Sequence, residues 1–326
     1  MERSRRQLLQ LAASAVAFPI ASRLAWAQTY PTQAVRIVVG FGPGGASDIL
    51  ARLIGQSLSD RLGKPFVIEN RPGAASNIAA EAVVRSPGDG YTLLLMTSGN
   101  AMNVSLYEKL NFDLLRDIAP VATIAFNPGV MEVSPGFPAK TVPEFIAYAR
   151  ANPGKVTMAT SGGGSPPHIW GELFKMMAGV DLIPVPYRGG SGPAITDLMS
   201  GQVDVTFDPL LSSIEFIKAG KVRALGVTSA TRSEMLPGVP SIGEFVPGYE
   251  AGAWLGIGAP KNTPADIIDK LNREIAAALA DSRLKTRIAE LGGTVTVSSP
   301  TEFSQLIVKD TEKWRKVIRE ANIKAE

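Results

Sequence analysis

The sequence predicts an α/β protein in which helices cover mostly parallel β-sheets. Between residues 35 and 228 short β-rich runs alternate with helix-patterned segments, glycine-rich turns join strand ends to helix starts, and after Pro260 helix follows helix. The runs that read as strands are 35–39, 66–69, 92–97, 130–133, 156–160, 203–207 and 224–228. The first helix takes Ser47 or Asp48 as N-cap, places Ile49, Leu50, Leu53, Ile54, Leu58 and Leu62 at helical spacing, and stops at Gly63. Thr141-Val142-Pro143-Glu144 is a capping box with proline in the first turn. Thr263-Pro264-Ala265-Asp266 opens a helix reaching about Ala280, and Ser299-Pro300-Thr301-Glu302 opens a last one reaching about Ala321.

The N-terminus predicts export. Arg5-Arg6, an apolar stretch from Leu8 to Ile20 and the small-x-small site Ala25-Trp26-Ala27 form a signal peptide of twin-arginine character over residues 1–27, with the Sec route left open. The apolar stretch falls short of the ~20 residues that a membrane span needs, and no later segment reaches that length. The absence of cysteine excludes lipidation at an N-terminal Cys, disulfides, thiol catalysis and Cys-ligated zinc. The chain has 33 basic and 30 acidic residues, and the four Arg and one Glu of residues 1–27 carry that excess. The remainder is balanced and lacks the basic footprint of a nucleic-acid binder.

Asn127-Pro128-Gly129 and Pro247-Gly248-Tyr249 are points where the chain can cross between lobes. They divide it into residues 28–128 with 251–326 as one lobe, and 129–250 as the other. A ligand cleft between them suits three turns. Gly40-Phe41-Gly42-Pro43-Gly44-Gly45-Ala46-Ser47-Asp48 lies between a strand and a helix, where backbone N–H groups meet the positive end of a helix dipole and favour an anion. It has neither the P-loop nor the dinucleotide spacing. The second turn runs from Ser161 to His168 and the third from Tyr187 to Gly192. Close backbone approach at Gly44 and Gly45 suits glycine. The one histidine, His168, stands near Ser161 and Ser165 as a hydrolase would require, but the G-x-S-x-G elbow is absent. One His and no Cys leave little for zinc, and no cofactor is expected. Arg188 is equally consistent with pairing a ligand carboxylate or with a solvated loop, and Trp254, Tyr187 and Phe41 with ligand stacking or with burial.

The turn at 40–48, Glu69-Asn70-Arg71-Pro72-Gly73-Ala74, Asp89-Gly90-Tyr91-Thr92-Leu93-Leu94, Asn152-Pro153-Gly154-Lys155, Gly164-Ser165-Pro166-Pro167-His168, Tyr187-Arg188-Gly189-Gly190 and Val239-Pro240-Ser241 occur in order along the chain. This set resembles the receptors of tripartite tricarboxylate transporters, the Bug-type extracytoplasmic solute-binding proteins. The resemblance implies a type II periplasmic binding fold, two lobes around a ligand cleft, and a monomeric, non-enzymatic periplasmic receptor. The implied ligand is a small carboxylate: a di- or tricarboxylate, an acidic amino acid or an aromatic carboxylate. Transient contact with membrane permease subunits is implied as well, with reporting to a sensor system as the alternative. Carried over by motif, the ligand contacts are Phe41, Gly44, Gly45, Ala46, Asp48, Ser98, Asn100, Thr160, Ser161, Ser165, His168, Tyr187 and Asp208. Lys261-Asn262 and the stiff Pro166-Pro167 pair depart from the usual pattern.

Overall fold

The computed structural model describes residues 30–187, 190–320 and 323–324; residues 1–27, the expected signal peptide, and Arg188 lie outside them. Residues 33–326 form one compact unit, apart from residues 1–32.

The first half alternates strand and helix: β1 (Val35–Val39), α1 (Ala46–Leu62), β2 (Phe66–Asn70), α2 (Asn77–Val84), β3 (Thr92–Thr97), α3 (Ser98–Leu106), a short α4 (Leu114–Asp117) and the long β4 (Ile118–Val133). The alternation continues with α5 (Val142–Ala151), β5 (Thr157–Thr160), α6 (Pro166–Ala178), β6 (Ile183–Pro186), α7 (Ser191–Ser200), β7 (Val205–Pro209), α8 (Leu210–Lys218) and β8 (Arg223–Val227). Then come β9 (Gly252–Pro260), α9 (Ala265–Ala280), α10 (Ser282–Glu290), β10 (Thr294–Val295) and α11 (Pro300–Glu320).

β1 pairs in parallel with β2 and β3, and β5 in parallel with β6 and β7, as helix-covered crossover units require. β4 joins these two sections of sheet. It runs antiparallel to β9 as far as Pro128, opposite Gly252, and from Gly129, opposite Pro209, it runs antiparallel to β7. Thr228 fastens this crossing. Gly129 N–H donates to its hydroxyl at 2.7 Å, the hydroxyl donates to the Ala251 carbonyl at 2.8 Å, and Ala251 N–H returns to the Thr228 carbonyl at 2.9 Å. The C-terminal helix α11 bridges the cores: Phe303 and Ile307 pack beside Leu94, Met96 and Trp254, and Trp314 and Ile318 join Trp170, Phe174 and Phe207.

The first helix begins two residues before the expected cap. Gly45 is its N-cap, and Asp48 sits inside the first turn and reaches back to Gly44. Gly63, at φ 67°, ends it as expected. Thr141 caps α5, but Glu144 reaches back to Lys140 N–H and not to the Thr141 amide. The Ser299–Glu302 box closes reciprocally at the start of α11. The expected strand at 130–133 is the end of the 16-residue β4, and β6, β9 and β10 were not expected from the sequence.

Candidate functional site

A cavity lies where β4 changes partners, and helix starts from both halves converge on it. From the first half come Phe41, Gly45, Ala46 and Ser47 at the start of α1, with Thr97 before α3. From the second come Ser161, Pro166 and Pro167 at α6, Ser191 at α7 and Pro209 before α8. Asn127 on β4, with Ala253 and Leu255 on β9, completes the wall. No Lys, Arg or His is among these residues.

The helix starts differ in what they offer. At α1 the N-cap is glycine, so no side chain occupies the first-turn amides, and Ala46 and Ser47 keep N–H groups that the helix cannot satisfy. Gly190 leaves α7 uncapped in the same way, at φ 86°, a conformation that favours glycine. α6 is different: its first two residues, Pro166 and Pro167, have no N–H and present pyrrolidine rings. α8 donates its Leu211 amide to Asn127 Oδ1 at 3.2 Å, and α3 is closed by its own Thr97–Asn100 capping box. Free donors therefore concentrate at α1 and α7, where aligned peptide dipoles place partial positive charge. The two turns touch: a methyl group on Gly190 would lie 3.4 Å from Gly42 N.

Asp48 builds the first turn. Its carboxylate accepts from Gly44 N–H at 3.0 Å, from Asn70 Nδ2 at 3.1 Å and from Arg52 Nε at 3.0 Å. Burial alone would raise this carboxyl, but those donors, Arg52 foremost, hold it below the usual range. Gly44, at φ 83°, needs glycine for its backbone, whereas Gly45 has an ordinary extended conformation, and a methyl group there would make ordinary van der Waals contact with Ser191 at 3.9 Å.

Of the sequence candidates, Phe41, Gly45, Ala46 and Ser161 line the cavity. Gly44, Asp48, Ser98, Asn100, Thr160, Ser165, His168, Tyr187 and Asp208 stand behind or beside its wall. Asn100 accepts from Thr97 N–H at 2.9 Å, and Thr160 accepts Tyr187 N–H at 2.9 Å. His168 Nδ1 accepts Gly164 N–H at 2.9 Å and so braces the turn before α6. The hydroxyls of Ser98 and Ser165 are fully buried with no hydrogen-bond partner among the described residues. Tyr187 donates to Asp197 at 2.6 Å; burial first, then that carboxylate, push its phenol up to about 12. Trp254 turns away from the cavity, stacks edge-on to Phe303 at 5.2 Å and donates to Asp310 at 2.8 Å.

Asp208 lies beneath Ser191. It accepts Ser191 Oγ–H at 2.6 Å and Ser212 Oγ–H at 2.5 Å, with Ser213 Oγ at 3.2 Å. Burial pushes its carboxyl up to about 6, against the pull of these hydroxyls. Glu132, on the crossing strand β4, lies beyond Ser213 at 2.8 Å and is raised well above the ordinary range by burial and then by Asp208. Sequence reading passed over Glu132, and also Ser47, Thr97, Asn127, Ser191, Pro209, Ala253 and Leu255 as wall residues. Ser47 and Ser191 had a usable signal, since both stand within glycine turns already singled out.

The family model described as tripartite tricarboxylate transporter family receptor matches residues 50–323. The chain belongs to that family. BugT of Bordetella pertussis is 34% identical over 317 residues, covering 96% of this chain and 95% of its own length. A UPF0065 protein of Pseudomonas sp. strain P51 is 36% identical, covering 91% and 88% respectively. Among solved structures, Rpa4515 of R. palustris with adipate has a TM-score of 0.88 at 38% identity, covering 91% of this chain and all of its own. MatC of Rhodopseudomonas palustris with bound malate has a TM-score of 0.85 at 33% identity, covering 89% and 100%. The periplasmic binding protein BugD gives 0.88 at 32%, covering 91% and 100%. The fold is that of these periplasmic binding proteins, and the family is one of solute-binding receptors and not of enzymes. Among the described residues no helix is long and apolar enough to cross a membrane.

Proposed function

We propose that the protein, exported by residues 1–27, captures a small carboxylate in the cavity between α1 and α7 and presents it, as a monomer, to the membrane subunits of a tripartite transporter. The observation that carries this reading is a wall with uncapped helix amides from both halves and, among the described residues, no cationic side chain. Adipate and malate, bound by two similar receptors, are acids of the expected size. Ala46, Ser47 and Ser191 would supply donors, and Phe41, Pro166, Pro167 and Leu255 would cover the ligand's carbon skeleton. Asp48, Gly44, Asn100 and His168 would hold the turns in place, with Ser98, Thr160, Ser165, Tyr187 and Asp208 in the layer behind. We read residues 28–128 with 251–326 as one lobe and 129–250 as the other, hinged where β4 changes partners; closure would exclude water from the amides.

Thermal melting of the mature protein against small carboxylic acids and their methyl esters tests this. An acid at 100 times its dissociation constant adds about 2.7 kcal/mol and raises the melting temperature by roughly 4 °C. The neutral ester should have no effect. Equal stabilisation by acid and ester would contradict the reading.

A further inference from the structure

A chain of hydroxyls leads from the cavity wall into the second half of the molecule. Ser161 and Ser191 both face the cavity, with their oxygens 3.2 Å apart. Ser191 is the donor to Asp208 at 2.6 Å, so its single proton is spent, and the contact with Ser161 can only be Ser161 donating to Ser191. On the far side, Ser212 points its proton at Asp208, and Ser213 donates to Glu132 at 2.8 Å with its oxygen 3.2 Å from Asp208. Among the described residues no cation pairs with either carboxylate. Both are essentially unexposed, at 1% and 0%. The protons of Ser161 and Ser191 therefore point inward, toward Ser191 and Asp208 in turn, and what the pair turns to the cavity is lone pairs.

We infer that Asp208, Ser191 and Ser161 select for a ligand that carries a hydrogen-bond donor, a hydroxyl or an ammonium group, next to the carboxylate held by the helix amides. The inference rests on the carboxylate reading above. It divides the cavity by chemistry: donors at α1, acceptors at the serine pair, and between them the apolar faces of Phe41, Pro166 and Leu255. A plain carboxylate oxygen placed against the serine pair would meet lone pairs, or would have to break the Ser161–Ser191 contact to win a proton. A hydroxyl or ammonium completes the chain without rearrangement. Asp208 is a positioning residue here, acting through Ser191.

Calorimetric titration with matched acids of three to six carbons tests the inference: malate and aspartate against succinate, lactate against propionate, and the longer homologues likewise. The unmodified protein should bind the donor-bearing member of at least one pair about tenfold or more tightly, the effect of satisfying a hydrogen-bonding site that the other member leaves unpaired. In Asp208→Asn the amide can donate to Ser191 and turn the hydroxyl protons outward, so the preference should vanish or invert. Ser161→Ala, on the wall and free of any buried carboxylate change, should abolish it as well, and it decides the matter if Asp208→Asn does not fold. Equal affinity within every pair would overturn the inference and leave carboxylate capture standing. A preference untouched by both substitutions would also overturn it. Failure of every acid to bind would remove this inference together with the reading beneath it.

Discussion

Two buried carboxylates flank the cavity, and their surroundings drive them in opposite directions. Asp48, on the α1 side, has a guanidinium and two N–H donors around it and is held ionised below its usual range. Asp208, on the α7 side, has only hydroxyls among its described partners and is pushed up to about 6 by burial, with Glu132 also raised behind it. Because Arg52 neutralises Asp48, the α1 turn offers its amides with no net negative charge nearby. Among the described residues no cation neutralises the carboxylate behind the serines of the opposite wall. The same residue type thus leaves amide donors on the α1 wall and turns the serine hydroxyls of the α7 wall into acceptors beside that helix's own amides, and the partner decides which.

The largest expected effect comes from removing the paired member. Asp48→Ala takes the acceptor from Gly44, Asn70 and Arg52 together, and urea unfolding should register a loss of about 2 kcal/mol, in the range for hydrogen bonds to charged groups. Loss of less than about 0.5 kcal/mol would mean that the turn holds its shape without the carboxylate.

The unpaired side predicts the reverse sign. A carboxyl whose folded pKa lies above its unfolded value binds more protons in the folded state, so its contribution is fully present below the unfolded value, 4.5 for Glu132, and is lost as pH rises toward the folded value. Glu132→Gln keeps an acceptor for the Ser213 hydroxyl and removes that loss. Its stability should match that of the unmodified protein near pH 4.5 and exceed it increasingly toward neutrality, by about 1.4 kcal/mol for each pH unit until the folded value is passed. A constant difference across pH would place the proton linkage elsewhere.

How much of this was legible in the sequence depended on how local its cause is. The parallel strands and the glycine turn before α1 are written in short stretches, and β1 to β3, β5, β7 and β8 emerged near their expected places. β9 did not, because three of its nine residues are glycines kept small by distant neighbours. A methyl group on Gly256 would come within 2.5 Å of the Phe303 ring, and one on Gly258 within 2.6 Å of Met96 Sδ. β6 contains Pro184 and Pro186, which an edge strand tolerates and a propensity reading rejects. At the site, Phe41, Gly45, Ala46 and Ser161 were within reach because their turns advertise themselves. Asn127, Ala253 and Leu255 join the wall only through the crossing of β4 and β9, and Glu132 looks like any strand residue until β4 is found to carry it into the core. The two glycine-rich turns also looked alike as anion cradles, yet Pro166-Pro167 deprives α6 of the amides that α1 keeps.

That last contrast gives the most direct test of the central claim, that backbone amides at the start of α1 hold the ligand's charge. Gly45 already has the extended conformation, φ −82° and ψ 169°, that a residue before proline prefers, and the first helical position accepts proline readily. Ala46→Pro therefore deletes one cavity-facing N–H at little cost to the fold and gives α1 the first residue of α6. Calorimetric titration of this variant with the acid that stabilises the unmodified protein should find affinity reduced about tenfold or more, with unfolding free energy changed by less than about 1 kcal/mol. Undiminished affinity in a folded Ala46→Pro protein would contradict the account.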